Sequence, residues 1–406
     1  MKIKYLAILI PVLVLASCRA GSDPYSSGLN TLTVTAEYPD GCAAGALAQV
    51  LLEDINLGYS YSRQPDASGV AVFSVRNGLY RVTVSDRNGE DIFNGSVDRL
   101  VVTGGVDAAV SVPLLHSRSG SIVIKEIYCG GCKRLPQEGD YQADQYIILH
   151  NNDVEVQYLD GLCLGTLFPY NSTATNPFIS KDPSTGETVY PDYAPIAQAV
   201  WQFGGDGTSF PLQSGEDAVV VLRGAVDHTV QYPLSVNLNR PGYFVCYNST
   251  YFTNTTYHPA PGDNISGDHI LDVVIKTGKA NAYTLSINSP TVLIWRAQGM
   301  TMREFVQQEG SVVQVPGSSV DQVVALPYDW VVDAVEVFNG TSSSNAKRLV
   351  PSLDAGYVTL SDTYLGHTLM REVDESLTAG SGFEVLADTN NSSNDFYERE
   401  TQSLHD

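Results

Sequence analysis

Residues 64–86, QPDASGVAVFSVRNGLYRVTVSD, contain two runs in which every second residue is apolar. A two-residue period puts one face of each run on a core, and a pleated strand is the structure with that period. Asp66-Ala67-Ser68-Gly69 reads as a turn before the first run, and Asn77-Gly78 as a tight hairpin turn between the two. The same alternation recurs in NTLTVTAEY, AQVLLED and AAVSVPL, with Gly, Asp, Asn and Pro at short intervals. Strands and turns at this spacing predict a β-sandwich over residues 29–115.

The polar stretch HSRSG, residues 116–120, separates this block from a second set of strand signals, residues 119–406. SIVIKEIY, DQYIILHNN, EDAVVVLRG and DWVVDAVEVFN are apolar and β-branched. The block is too long for one small sandwich. The excess falls at about 167–209 and 233–325, which read as insertions that elaborate it. Within them, YAPIAQAVWQF and MTMREFVQQ are expected as short helices, while HILDVVIKT and TVLIWRA have strand patterns.

Residues 64–86 resemble the carboxypeptidase-regulatory-like, transthyretin-like modules common in Bacteroidota surface proteins, which implies that Gly78-Leu79-Tyr80 is structural, the turn setting the register and Tyr80 packing. Ile124-Lys125-Glu126-Ile127, residues 145–152, Leu159-Asp160-Gly161 and residues 210–229 resemble the strands of lamin-tail domains, which are Ig-like sandwiches. With the leader described next and the C-terminal DTNNSSNDF, the chain is similar to an uncharacterised family of Bacteroidota lipoproteins. The resemblance implies a mainly β fold, in which an Ig/transthyretin-like sandwich is followed by a larger, elaborated lamin-tail-like one. It implies no reaction.

Residues 1–17 carry Lys2 and Lys4, then an apolar run over 5–15. That run is shorter than the ~20 residues needed to span a bilayer. Leu15-Ala16-Ser17-Cys18 follows, the lipobox of a bacterial lipoprotein signal peptide. Cleavage before Cys18 would leave that residue acylated, and several acyl chains anchor firmly. Residues 18–28 then form a tether. The expected location is the outer membrane, with the periplasmic or cell-surface face undecided. The formal charge of −22 excludes nucleic acid as a natural partner.

DTNNSSNDFYER, residues 388–399, places Asp388, Asn390 and Ser392 like the first ligands of a calcium loop. Ser393 and Arg399 stand where that loop needs Gly and a bidentate Glu, so a structural turn is expected. Cys129-Gly130-Gly131-Cys132 is expected as a local disulfide in an exported chain, with a redox or zinc role as the alternative. Cys18 aside, Cys42, Cys129, Cys132, Cys163 and Cys246 are an odd set. His150, His228, His258 and His269 do not cluster in sequence. G-x-S-x-G, H-E-x-x-H and a phosphate-binding Gly loop are absent, so no cofactor or metal is expected.

Function is expected from the insertions. They carry Tyr170, Tyr190, Tyr193, Trp201, Tyr243, Tyr247, Tyr251 and Tyr257. Exposed rings on rigid loops bind sugars or partner pockets at low entropic cost. Trp201, Tyr247 and Tyr251 are the candidate ligand-binding residues. The favoured function is a non-catalytic binding or accessory lipoprotein of the outer envelope. Its expected partners are the membrane, a TonB-dependent transporter, or a surface glycan or protein. The alternative is a surface hydrolase acting on glycan or peptide from within the insertions.

Overall fold

The computed structural model describes residues 29–405, apart from 47, 89–90, 105–106, 185 and 187. The leader, Cys18 and the tether lie outside the described residues. The fold is mainly β, in two sandwiches.

The first sandwich faces a three-stranded sheet against a five-stranded one. The small sheet runs Val70–Val75, Asn30–Glu37, Ala108–Pro113. The large one runs Ser60–Arg63, Gln49–Asp54, Gly78–Asn88, Asp91–Val102, Leu115–Arg118. Alternate aliphatics (Leu32, Val34, Val50, Leu52, Val82 and Val84) fill the space between. The expected hairpin at Asn77-Gly78 is not formed. Val70–Val75 pairs with Asn30–Glu37, and Gly78–Asn88 pairs with Gln49–Asp54, so the chain crosses between sheets there. Both strands carry one apolar face, and opposite sheets let both faces meet one core. Asn77 instead accepts a hydrogen bond from Asn30 Nδ2 at 2.9 Å. Tyr80 packs as expected, fully buried, its hydroxyl donating to Arg76 O.

His116 and Ser117 belong to a strand, because Leu115–Arg118 pairs with Asn94–Asp91. The crossing between sandwiches is therefore residues 119–121 rather than the whole of HSRSG.

In the second sandwich, the six-stranded sheet runs Phe244–Val245, Asp217–Val221, Tyr146–Asn151, Ile122–Tyr128, Thr368–Arg371, Phe396–Arg399. The eight-stranded sheet contains Gln322–Leu326, Ala194–Gln202, Cys163–Leu167, Thr291–Trp295 and Val331–Asn339 in that order. Ile127, Ile147, Leu149, Leu164, Val220, Ile294 and Val335 form the core between them. The stretch expected as a helix at YAPIAQAVWQF is strand Ala194–Gln202, at the centre of the larger sheet. Ala199 and Trp201 face the inter-sheet core, while Ile196 and Val200 face a second cluster with Trp295, Met302 and Phe305. A strand covered on both faces loses its alternation, and its apolar run then reads equally well as a helix. Neither insertion stands apart: Ala194–Gln202, Asp272–Lys276, Thr291–Trp295 and Gln322–Leu326 all pair within this one sheet. The helix expected at MTMREFVQQ is present as Met302–Phe305, capped by Thr301 and Glu304 in a reciprocal box.

Residues 388–395 join the two sandwiches. Asn94 of the first donates from Nδ2 to the carbonyls of Thr389 (2.6 Å) and Asn390 (3.1 Å). Asn394 Nδ2 donates to Ser85 Oγ, Asn390 Nδ2 to Ser117 Oγ, and Gly120 N to Asp388 Oδ2. Beside them the Arg81 guanidinium lies 5.0 Å from the Tyr357 ring centre, and Tyr357 donates to Glu53. Asp388 is buried, with Oδ1 3.4 Å from Arg371. The segment that resembles a calcium loop is a structural joint.

Candidate binding surface

Of the rings singled out from sequence, Trp201 is the clear correction. It is fully buried, stacked on Phe252 at 5.6 Å and edge-on to Tyr283 at 5.2 Å. It belongs to the core because its strand is central. Tyr170, Tyr190, Tyr193 and Tyr243 are half-buried, and Tyr247 is half-buried against His258. Tyr251 and Tyr257 are 45% and 51% exposed.

A duplicated turn explains those two. Residues 248–252 and 254–258 both read Asn-x-Thr-Tyr-aromatic: NSTYF and NTTYH. In the first, Asn248 Oδ1 accepts from the N–H groups of Thr250 and Tyr251, and Phe252 N donates to Asn248 O. In the second, Asn254 Oδ1 accepts from Thr256 and Tyr257, and His258 N donates to Asn254 O. Such Asx turns replace regular secondary structure with side-chain to backbone bonds. In each copy the last ring, Phe252 or His258, is buried, and the two touch at 5.2 Å. The preceding tyrosine is turned outward. His258 Nε2 accepts from Asn248 N, tying one turn to the other. Burial and the nearby Arg223 push its pKa down to about 4, which keeps the ring a neutral acceptor. The six-residue repeat was the available sequence signal, and composition alone passes over it.

Arg223 lies beneath Tyr257. It is 5% exposed, donates from Nε to Tyr257 O (3.1 Å) and from Nη1 to Gln142 O (3.3 Å), and sits 5.1 Å from the Tyr257 ring centre. Burial holds its pKa below the usual arginine value. Gln142 leads to the neighbouring hairpin, Cys132–Lys133 with Asp140–Tyr141. There Tyr141 packs on Tyr232 with ring centres 4.1 Å apart. The Arg134 guanidinium lies 5.5 Å from Tyr232 and 5.9 Å from Tyr141. His228 Nε2 faces Gly224 O at 2.6 Å, which assigns the ring proton to Nε2 and leaves Nδ1 to accept from the Tyr141 hydroxyl. Tyrosines and cations thus meet on one end of the second sandwich.

The other sequence candidates are structural. Cys129 and Cys132 are free thiols, not a disulfide. The Gly130-Gly131 turn sends Cys129 into the inter-sheet core and Cys132 toward Asp144, whose Oδ2 is 3.8 Å from Sγ. Burial pushes both thiols up to about 12, so neither is a thiolate nucleophile. The Gly-rich loop at 204–210 wraps a carboxylate from elsewhere in the chain: Asp160 accepts from the N–H groups of Gly207, Ser209 and Phe210. His150 is buried, bonded to Asp217 at 2.6 Å and to Glu384 O at 2.9 Å. Among the described residues no group of three or more His, Cys, Asp or Glu is placed to hold a metal ion. Two open grooves of about 750 and 740 Å³ flank the crossing at 119–121; Ser119, Gly120 and Ser121 line both, with Asn390 of the joint in the first.

Residues 213–403 match the DUF4876 family model, described as a protein of unknown function. The match includes Arg223, both tyrosine turns and the joint, but not the first sandwich or the 132–141 hairpin. A crystal structure of a DUF4876 family protein from Bacteroides thetaiotaomicron is similar, with 23% identity and a TM-score of 0.57. The likeness covers 91% of this chain and 94% of that one, and it is a likeness of fold. No curated protein matches. The DUF4876 match agrees with the expected uncharacterised Bacteroidota family.

Proposed function

We propose that this chain is a non-catalytic, lipid-anchored binding or accessory protein of the outer envelope, and a partner of a TonB-dependent transporter. Cys18 carries the anchor, the first sandwich is a spacer, and the tyrosine end of the second sandwich is the capture surface. The observation that carries this reading is the pair of outward tyrosines, Tyr251 and Tyr257, set on twin turns beside a buried arginine. Exposed rings on a pre-formed loop contribute contact area at low entropic cost.

The test uses the full-length lipoprotein recovered from membranes. A fatty-acid analogue should label the wild type and not Cys18→Ala; equal labelling removes the anchor. Pull-down should recover a transporter or surface component, and Tyr251→Ala/Tyr257→Ala should reduce recovery roughly tenfold or more, as loss of central aromatic anchors does. Unchanged recovery by the double variant would remove the tyrosine end from the function. Hydrolysis of a glycan or peptide panel by the wild type would overturn the non-catalytic reading.

A further inference from the structure

The chain carries a net charge of −22, yet its tyrosine end is built around cations. Lys133 has a carboxylate partner, Asp140, at 2.6 Å. Among the described residues, Arg134 and Arg223 have no carboxylate within ion-pair distance. For Arg223 this is costly. A buried charge without a counter-ion loses several kcal/mol of hydration, and two backbone carbonyls and one ring face return only part of it. The carboxylate that acts on it through space, Asp144, is itself fully buried, and burial raises its pKa. Asp144 Oδ2 is already engaged by Ser235 Oγ and the Tyr128 hydroxyl. Other acids at this end include Glu138 on the hairpin, Asp227 beside His228, Asp263 next to Gly262, whose N–H donates to Ala225 O, and Asp362 two residues before Tyr364.

We propose that the Arg223–Tyr257 end binds a short anionic saccharide, its ring stacking on the exposed tyrosines and its carboxylate or sulfate meeting Arg134 on the rim, with the buried Arg223 supplying positive charge from beneath Tyr257. This rests on the reading of that end as a capture surface and names its ligand class. A guanidinium fork matches the two oxygens of a carboxylate or sulfate, and such bonds are charge-assisted. Sugar rings have an apolar face of C–H groups that lies flat against a phenol ring, and Tyr257 is half exposed directly over Arg223. Arg134, stretched across Tyr141 and Tyr232, places a second cation on the rim. A short ligand suits this arrangement better than a long polyanion. Fields from the acidic remainder of the surface are screened beyond about 8 Å at physiological salt, so a ligand confined to this end meets only the local charges, of which Asp140 is already paired with Lys133.

The matched probes are trigalacturonate and its methyl ester, which keeps the rings and removes the charge, with a chondroitin sulfate tetrasaccharide as the sulfated probe. Calorimetry on the soluble mature chain should show binding of an acidic probe that weakens with salt. The methyl ester should bind about tenfold weaker or less well still. Arg134→Gln, at an exposed side chain, and Arg223→Gln, checked for folding by its thermal transition, should each erase most of that difference. Tyr257→Ala should weaken ester and acid alike. Equal binding of acid and ester overturns the charge assignment. Binding of no acidic probe overturns the ligand class, and if Tyr251→Ala/Tyr257→Ala still abolishes membrane pull-down, the capture surface stands without it. Retained saccharide binding with unchanged pull-down would instead separate this site from the transporter partnership.

Discussion

Arg371 is 2% exposed and faces three buried carboxylates. Asp333 Oδ2 lies at 2.5 Å, Asp388 Oδ1 at 3.4 Å and Asp395 Oδ2 at 3.8 Å. One cation cannot neutralise three buried anions, so the group holds a proton at neutrality. Burial, opposed by Arg371 and reinforced by Asp388, raises Asp395 to about 7, and burial raises Asp333 to about 6. With folded values above the unfolded one near 3.8, the folded chain binds protons more tightly. The contribution of this cluster is complete below pH ~4 and is lost as pH rises to ~7. Asp395→Asn is neutral at every pH. Any loss is constant in pH, because the amide can keep its oxygen toward the N–H groups of Thr389 and Asn391 and turn Nδ2 to the Thr389 hydroxyl, which then accepts. Relative to wild type it should gain stability, on the order of 2 kcal/mol, between pH 4.5 and 7.5. Thermal unfolding across that range reads the difference, and a difference flat in pH would sink the shared-proton account. The second buried pair behaves otherwise. Glu336 accepts from Arg348 Nε (2.8 Å) and from the N–H groups of Arg348 and Leu349, and both side chains are essentially unexposed. Arg348→Met should cost about 3–5 kcal/mol in chemical denaturation by stranding that carboxylate. A loss below ~1 kcal/mol would show that it finds another partner.

Strands were legible where one face meets a core and the other meets water. Asn30–Glu37 alternates buried with more exposed positions along its length and was readable as written. Ala194–Gln202 was not, because both of its faces are covered. The Asn77-Gly78 turn misled because a turn dipeptide fixes a local bend and not which strand pairs with which. The binding end was legible in part. Tyr251 stood out as a loop aromatic, while Trp201 was misplaced because burial of a whole sheet has no local signature. Arg223 and Arg134 could not be found, since their lack of a carboxylate partner depends on contacts far apart in sequence. The tyrosine turns carry their own test. Asn254→Asp keeps the oxygen that accepts from Thr256 and Tyr257 and should preserve stability. Asn254→Ala should lose about 0.5–1.5 kcal/mol, the net worth of a hydrogen bond, and should weaken capture through Tyr257. Equal behaviour of the two variants in denaturation and binding would mean that the side chain does not set the turn.

Across the whole molecule, the two sandwiches are coupled by a segment at the far end of the chain. Ser117, next to the crossing, and Gly120, within it, are both bonded to residues 388–390. Ser392 donates to Asp354 from N (2.8 Å) and Oγ (2.6 Å), and Asp354 accepts from Glu336 N. Asp395 and Asp388 face Arg371. The joint therefore ties the first sandwich to both sheets of the second through groups buried in the core. Cutting at 117–119 should be slow in the native chain despite its polar sequence, because the backbone there is paired or clamped. A single cooperative thermal transition is expected. Asn94→Ala tests the coupling with one side chain. Asn94 is fully buried, and its removal takes the side-chain donor from the Thr389 carbonyl, while the Asn390 carbonyl keeps the N–H of Ala355 at 2.8 Å. The expected loss is about 1–3 kcal/mol, together with faster cleavage near Ser117 and separation of the transition into two. If Asn94→Ala melts as one unit at the wild-type temperature and resists protease equally, Asn94 does not carry the coupling, which then falls to the remaining bonds of the joint from Asn394, Asn390 and Asp388 and to the Arg81–Tyr357 contact.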